Sequence, residues 1–359
     1  MFRTIICITP FMVCLFWLII FIIGYRRHDP AKKVLTWFLM ACSVLYYCHA
    51  HSFIAGADRI LESVWALCSL SVYPLYHLYI RTLTSRVDAG AKRFLTFIPG
   101  TIVFIILVFF PGTAADFLRM AVFMLQVVFV CWSGIRMLRA FDREVASCYA
   151  NTEGRQTTDV RILMIAFVMT SILSAAVNAI GKSNVGARDA LLIPVAILFS
   201  VMLFALSYIG YVKQFSCENL STDMEEDDAP ADAPDELLGV KLDKLMDERM
   251  LYLEKNLKIN DVAAQIGSCR TYLSNYLNQV RGESFSDYVN RLRIERAKKL
   301  LQEDMEVKMV TLAEQLGFSN EQGFYRNFKK FTGMTPSQWK QENESSRHSE
   351  RKDARTGRA

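Results

Sequence analysis

VAAQIG at Val262–Gly267 returns fifty residues later as LAEQLG at Leu312–Gly317, and the correspondence continues beyond the glycines. The second copy gains one residue, so that Leu273 and Leu277 match Phe324 and Phe328. Gly282, Ser286 and Tyr288 then match Gly333, Ser337 and Trp339. Each copy reads as a helix-turn-helix. A short helix presents an apolar residue and a small Ala to its packing face and ends at a Gly, which adopts φ > 0 at little cost and lets the chain turn sharply. A second helix then buries its apolar pair at i, i+4 spacing. The second helix of such a turn can lie in the major groove of DNA. One A-x-x-x-G turn would suit any helical hairpin. Two in register, joined by an amphipathic stretch and basic on both, point to DNA.

The composition upstream is of another kind. The chain has 359 residues and a net charge of +5, but the average hides a division near Val212. Before it lie seven apolar stretches that approach or exceed the roughly 20 residues needed to cross a bilayer. They fall near Ile5–Gly24, Val34–Phe53, Leu61–Leu83, Phe94–Phe110, Phe117–Leu138, Ile162–Ile180 and Ala190–Val212. The first is too long for a signal peptide, and Tyr25-Arg26-Arg27 follows it where a small-residue cleavage site would stand, so it reads as a retained helix. Of nine cysteines, Cys7, Cys14, Cys42, Cys48, Cys68 and Cys131 fall inside apolar runs, where free Cys behaves as a small hydrophobe. No CxxC or Cys/His ligand spacing appears, so no metal and no cofactor is expected.

Lys and Arg set the expected orientation. The loops after the first, third and fifth stretches hold thirteen (Arg26, Arg27, Lys32, Lys33; Arg81, Arg86, Lys92, Arg93; Arg136, Arg139, Arg143, Arg155, Arg161), and the opposite side holds five (Arg3, Arg59, Arg119, Lys182, Arg188). The basic side is the cytoplasmic one. The reading is therefore a multi-pass protein of a bacterial inner membrane, with its N-terminus outside and everything after Val212 inside. Between the two parts, Glu218–Glu236 carries nine acids, no Lys or Arg, and two prolines, as a solvated disordered linker does.

With these residues in view, positions 240–340 resemble the DNA-binding domain of AraC-type transcriptional regulators. The first half is echoed by RTYLSNYLNQ (Arg270–Gln279) and FSDYVNRLRIERAKKLL (Phe285–Leu301), the second by LAEQLGFSNEQGFYRNFKKFTGMTPSQW (Leu312–Trp339). The latter carries the family's pattern G-F-S-x-x-x-x-F-x-R-x-F-K-K-x-x-G-x-T-P. Some bacterial members resemble this chain in placing a multi-helix membrane domain first. Two positions depart from the family: Cys269 stands where a Ser or Asn cap is usual, and Gly323 lies inside the second recognition helix.

Geometry and resemblance together assign roles. Arg270, Thr271, Ser274 and Asn275 lie opposite Leu273 and Leu277 and are expected to face bases, as are Glu321, Gln322 and Arg326 in the second copy. Arg pairs with guanine, Asn or Gln with adenine, and Glu accepts from cytosine. Arg291, Arg293, Lys329 and Lys330 suit phosphates, which add affinity without sequence information, though each also suits a solvated basic face. In the membrane part, His49, His51, Glu62, Gln126 and Asn178 are polar residues that could line a ligand pocket; those at helix ends could equally meet water. No phosphate loop, zinc-protease, serine-hydrolase or kinase pattern is present, and no enzymatic activity is expected.

The expected protein is all-α. A seven-transmembrane-helix sensor bundle covers 1–213, an acidic linker 214–236, a double helix-turn-helix domain 237–342, and a polar, disordered tail 343–359. Its expected role is a membrane-anchored, one-component transcription regulator, whose partners are double-stranded DNA, the lipid bilayer, an unknown signal molecule or membrane protein, and a second copy as a homodimer. The competing reading is a membrane scaffold or membrane enzyme whose C-terminal domain docks protein.

Overall fold

The computed structural model describes residues 2–55, 59–85, 95–110, 112–181, 185–212, 220, 235–303 and 307–343. Nearly all of the acidic linker and of the polar tail lies outside them. Two compact units emerge. The first comprises Met1–Phe141 and Thr157–Ser221, the second Asp142–Gln156 and Thr222–Ala359. The described residues form helices, and the one β-type pairing among them is an isolated bridge, Tyr149 with Lys258.

Over the seven apolar stretches the described residues form α1 Phe2–Gly24, α2 Pro30–Ala55, α3 Arg59–Thr84, α4 Ile98–Phe109, α5 Thr113–Cys148, α6 Thr158–Gly181 and α7 Val185–Val212, with the end of α5 running into the second unit. By length and composition, four segments among the described residues are long and apolar enough to cross a membrane: Pro30–Ser52, Thr113–Cys148, Thr158–Val177 and Ile193–Val212. The apolar parts of α1 and α4 are shorter, at Ile8–Ile23 and Leu95–Phe109. With 12 residues, α4 rises only about 18 Å, well short of a hydrocarbon core of about 30 Å. Four qualifying segments is thus a smaller number than the seven spans expected.

Helices α3, α2, α1, α7 and α6 are neighbours in that order. Their shared core is aromatic, with Phe38, Tyr73 and Tyr76 meeting Phe167, and Trp17 meeting Phe204 and Tyr208. Serine and threonine hydroxyls inside this core donate to carbonyls one turn back: Thr36 to Lys32, Ser43 to Leu39, Ser171 to Phe167 and Ser207 to Leu203. A buried hydroxyl without such a partner would be costly.

The second unit contains α8 Asp235–Arg249, a 3-10 turn Leu251–Leu253, α9 Ile259–Ile266, α10 Arg270–Asn275 extended by a π turn at Tyr276–Val280, α11 Phe285–Glu303, α12 Met309–Gln315, α13 Glu321–Thr332, and α14 over 336–343. The repeat read from the sequence is a repeat in space. Gly267 and Gly317 end the first helix of each copy at φ 69° and 76°, and Gly282 and Gly333 follow the second at 70° and 80°. Gly317 has a further reason to be glycine, because a Cβ there would collide with the Leu253 carbonyl oxygen. Leu273, Leu277, Phe324 and Phe328 are all fully buried. Phe318, Phe324 and Phe328 share one core with Ile294, Ala297 and Leu301 of α11, with Leu312 and Ala313 of α12, and with Leu316 at its end. Burying each phenylalanine contributes about 1.5–3 kcal/mol. That outweighs the roughly 1 kcal/mol that Gly323 costs the helix.

A polar knot lies inside this core. Arg293 on α11 is fully buried, and its guanidinium donates to the carbonyls of Tyr252 and Glu254 and to the side-chain oxygens of Asn290 and Asn151. Phe318 lies against its face at 5.2 Å. Burial lowers its pKa to about 10, which leaves it cationic at neutral pH. The sequence reading placed Arg293 on a phosphate, and this is corrected: a guanidinium with no solvent exposure and four internal acceptors has no path to DNA.

Two predictions follow from these local geometries. Arg293→Met orphans four acceptors, three of them buried, and should lower the unfolding free energy of the second unit by about 3 kcal/mol, read from hydrogen exchange of α11 amides; Lys329→Met, on an exposed face, should change it by less than about 0.5. The helix starts differ as well. Asn320 accepts from the Gly323 amide at 2.8 Å, whereas Cys269 has cap-like backbone angles and no side-chain bond. Asn320→Ala should cost about 1 kcal/mol and Cys269→Asn should stabilise by a similar amount in denaturant titrations.

Candidate nucleic-acid interface

The two recognition helices, α10 with its π turn and α13, each bury one stripe and leave the other polar. In α10, Leu273, Tyr276 and Leu277 are buried while Thr271 and Asn275 are exposed and Arg270 and Ser274 half-buried. In α13, Gly323, Phe324 and Phe328 are buried, Gln322 and Arg326 are exposed, and Glu321 is half-buried. The seven residues expected to face bases therefore all keep some exposure, and none belongs to the core.

The residues expected on phosphates divide. Lys329 and Lys330 are exposed near the end of α13. Lys330 pairs with Asp287 at 2.6 Å across to α11. Arg291 is held by Glu283 at 2.8 Å and by Glu295 at 3.3 Å, and the Glu283 hydrogen bond raises its pKa above the usual guanidinium value. Exposed or half-exposed pairs of this kind are weak and exchangeable. Arg293, buried, leaves the set.

A contributor that the sequence reading did not anticipate is the segment that follows α5. Tyr149, Ala150 and Asn151 are buried. The Ala150 amide donates to the Leu257 carbonyl at 3.1 Å, and its own carbonyl accepts from Ser286 at 2.8 Å and Asn290 at 3.2 Å. Asn151 donates to the carbonyls of Lys255 and Gly317 while accepting from Arg293. This short stretch thus bonds the approach to α9, the linking helix α11 and the turn glycine of the second copy. At its ends, Arg270 reaches the Cys148 sulfur at 3.5 Å and Arg326 pairs with Glu153. A partial signal was present in the sequence. Leu138, Phe141, Val145 and Cys148 extend a buried helical stripe past the apolar run that was expected to end at Leu138. Nothing local marked Asn151 or Glu153.

The expected pocket residues are not gathered into one site. The first unit holds a cavity of about 400 Å³ lined by His49, Trp65, Ser69, Arg119, Ser171 and several aromatic rings. His51, Glu62 and Gln126 are not among its lining residues. His51 lies against Tyr47, Glu62 is exposed, and Gln126 is buried with both amide atoms unpartnered among the described residues. Asn178 lies on α6, but its side chain falls outside the described residues.

Comparison with known proteins concerns the second unit. A family of helix-turn-helix domains matches residues 249–342. The chain is 39% identical over 93 residues to the uncharacterized HTH-type transcriptional regulator YtdP of Bacillus subtilis, covering 26% of this chain and 12% of that protein. It is 41% identical over 70 residues to the uncharacterized transcriptional regulatory protein YesN of the same organism, covering 19% of each. It is 30% identical over 122 residues to an uncharacterized HTH-type transcriptional regulator in the cgkA 5′ region of Pseudoalteromonas carrageenovora, covering 33% of this chain and 72% of that protein. The chain thus spans less than a fifth of the length of the first two and most of the third. No solved structure matches. The matched positions contain both turn glycine pairs, both buried stripes and both polar faces described above, and the chain belongs to the AraC-type helix-turn-helix transcriptional regulators.

Proposed function

We propose that this regulator is anchored in a membrane by its first unit and reads DNA with both recognition helices, so that one chain senses and responds. The observation that carries the DNA half is the pair of matched helix-turn-helix copies on α11, each with a polar, accessible face. Two such helices on one chain can address successive major-groove segments about one helical turn apart. Thr271, Asn275, Gln322 and Arg326 are the proposed base readers, with Arg270, Ser274 and Glu321 beside them. Arg291, Lys329 and Lys330 are the proposed phosphate contacts.

The membrane half is supported by four segments of sufficient length and apolarity and by the thirteen-to-five division of basic residues between alternate loops. Large apolar side chains such as Phe117, Leu125, Val128 and Trp132 on α5 are exposed in the first unit, and lipid would cover them. The cavity lined by His49 and Arg119 is the place for a small signal molecule in this reading. A ligand there can act only by favouring one state of the protein over another.

Two expected outcomes test the halves separately. A reporter active only in the cytoplasm should work when fused after Val212 and fail when fused near Gly112; the reverse pattern removes the proposed placement. The purified protein should bind specific duplex DNA with an affinity that falls steeply as salt rises. Arg326→Ala should relax preference at one base pair at a cost of about 1–3 kcal/mol, and Lys330→Ala should weaken all sequences alike. Equal weakening of every site by Arg326→Ala would remove that residue from base reading.

A further inference from the structure

Two contacts made from the ends of Cys148–Glu153, on Arg270 and on Arg326, fall on residues assigned above to DNA. We propose that the Glu153 end of this segment is an intramolecular occupant of the DNA-reading surface, so that its docking and the binding of a duplex exclude each other. The inference rests on the proposed DNA reading and adds the element that competes with it.

Glu153 is the key group. Its Oε1 pairs with Arg326 at 2.5 Å, the residue best suited to guanine. The carboxylate also sits against the first turn of α13, where a Cβ on residue 323 would collide with it. Glycine at that position, otherwise unfavourable inside a helix, leaves room for the Glu153 carboxylate in this place. An anion at a helix N-terminus is favoured by the unpaired amides and the helix dipole, the same chemistry that draws a DNA phosphate there. Glu153 thus offers α13 both of the features that nucleic acid offers it, an acceptor for Arg326 and negative charge at the helix start.

The segment is shaped to deliver that carboxylate. Gly154 takes φ 73°, and the amides of Arg155 and Gln156 both donate to the Thr152 carbonyl. Arg155 folds back onto the Asn151 carbonyl at 2.8 Å and over the Tyr149 ring at 4.4 Å, which braces the turn that carries Glu153. At the other end, the Cys148 sulfur occupies Arg270 of the first recognition helix. One short stretch therefore engages a basic residue of both helices.

The docked state is also built to be reversible. The second carboxylate oxygen of Glu153 is buried with no hydrogen-bond partner among the described residues. An unpaired buried acceptor penalises docking and leaves DNA able to displace it. Because the segment is tethered, its effective concentration at α13 depends on the chain that carries it. That chain is continuous with α5 on one side and α6 on the other, so a change in those helices reaches the recognition surface without passing through the acidic linker.

The test uses the full-length protein in lipid nanodiscs, as wild type, Glu153→Ala and Glu153→Gln. The probe is a fluorescent duplex selected from a random library by a mixture of the three. Both variants should bind it more tightly than wild type, Glu153→Ala by about fivefold, which corresponds to an undocked form making up about a fifth of the wild-type population. Hydrogen exchange of the Arg155 and Gln156 amides, which close the turn that carries Glu153, should be slowed in the wild type without DNA by no more than about fivefold, and that slowing should be lost with saturating duplex. Unchanged or weaker binding by both variants, or protection of this turn that persists under saturating duplex, overturns the proposal. Should a variant fail to fold, the exchange measurement on the wild type decides. Failure of all three to select any duplex overturns the DNA reading, and the proposal with it.

Discussion

The Arg293 guanidinium donates to the Tyr252 and Glu254 carbonyls, to Asn290 on its own helix and to Asn151 on the segment after α5. A buried cation is tolerated only where its donors are met, since each unmet one would cost more than the bonds made elsewhere contribute. That demand fixes three segments at once: the 3-10 turn before α9, the middle of α11, and Cys148–Glu153. From α11 the apolar residues Ile294, Ala297 and Leu301 then hold the second copy through Phe324 and Phe328. The register of α11 is set by a polar knot and filled in by apolar packing.

The two copies share a plan and differ in how firmly each recognition helix is made. Asn320 caps α13 through the Gly323 amide, and α13 runs a full 12 residues to the left-handed Gly333. The α10 helix begins at an uncapped Cys269 and passes after six residues into a π turn. That turn is pinned from α8, where Asp243 takes Arg281 at 2.6 Å and Tyr288 at 3.0 Å, and where Gly239 leaves room for the Tyr276 hydroxyl. Tyr288, buried beside the Asp243 carboxylate, has its pKa raised for both reasons, burial first. The first copy thus draws from a neighbouring helix the order that the second obtains from its own caps.

Asp142–Gln156 belongs to the DNA-binding unit by its contacts, although in the sequence it is a connection between two apolar helices. It engages a basic residue of each recognition helix, Arg270 through Cys148 and Arg326 through Glu153. Its bonds are mostly backbone and amide, while its far end carries one ion pair and one buried oxygen without a hydrogen-bond partner among the described residues. In the proposed reading, stability and release are carried by different residues of the same short stretch.

Much of this was legible in the sequence. Sharp turns after short helices need φ > 0, so glycines mark them at Gly267, Gly317, Gly282 and Gly333. Buried helix faces need i, i+4 apolar pairs, so Leu273/Leu277 and Phe324/Phe328 stand out, and long apolar runs mark the helices of the first unit. These are local constraints, and local sequence satisfies them. What the tertiary structure alone decided was which polar residues turn inward. Arg291 and Arg293 look alike in the sequence, two residues apart on one amphipathic helix, yet one is ion-paired at the surface and the other fully buried. The difference lies in Asn151, 142 residues away, just as the space beside Gly323 is filled by Glu153, whose partner Arg326 is 173 residues distant. A hydrogen bond made across such a separation depends on where the fold brings two chains together, and it leaves no periodicity or spacing near either residue by which the sequence could announce it.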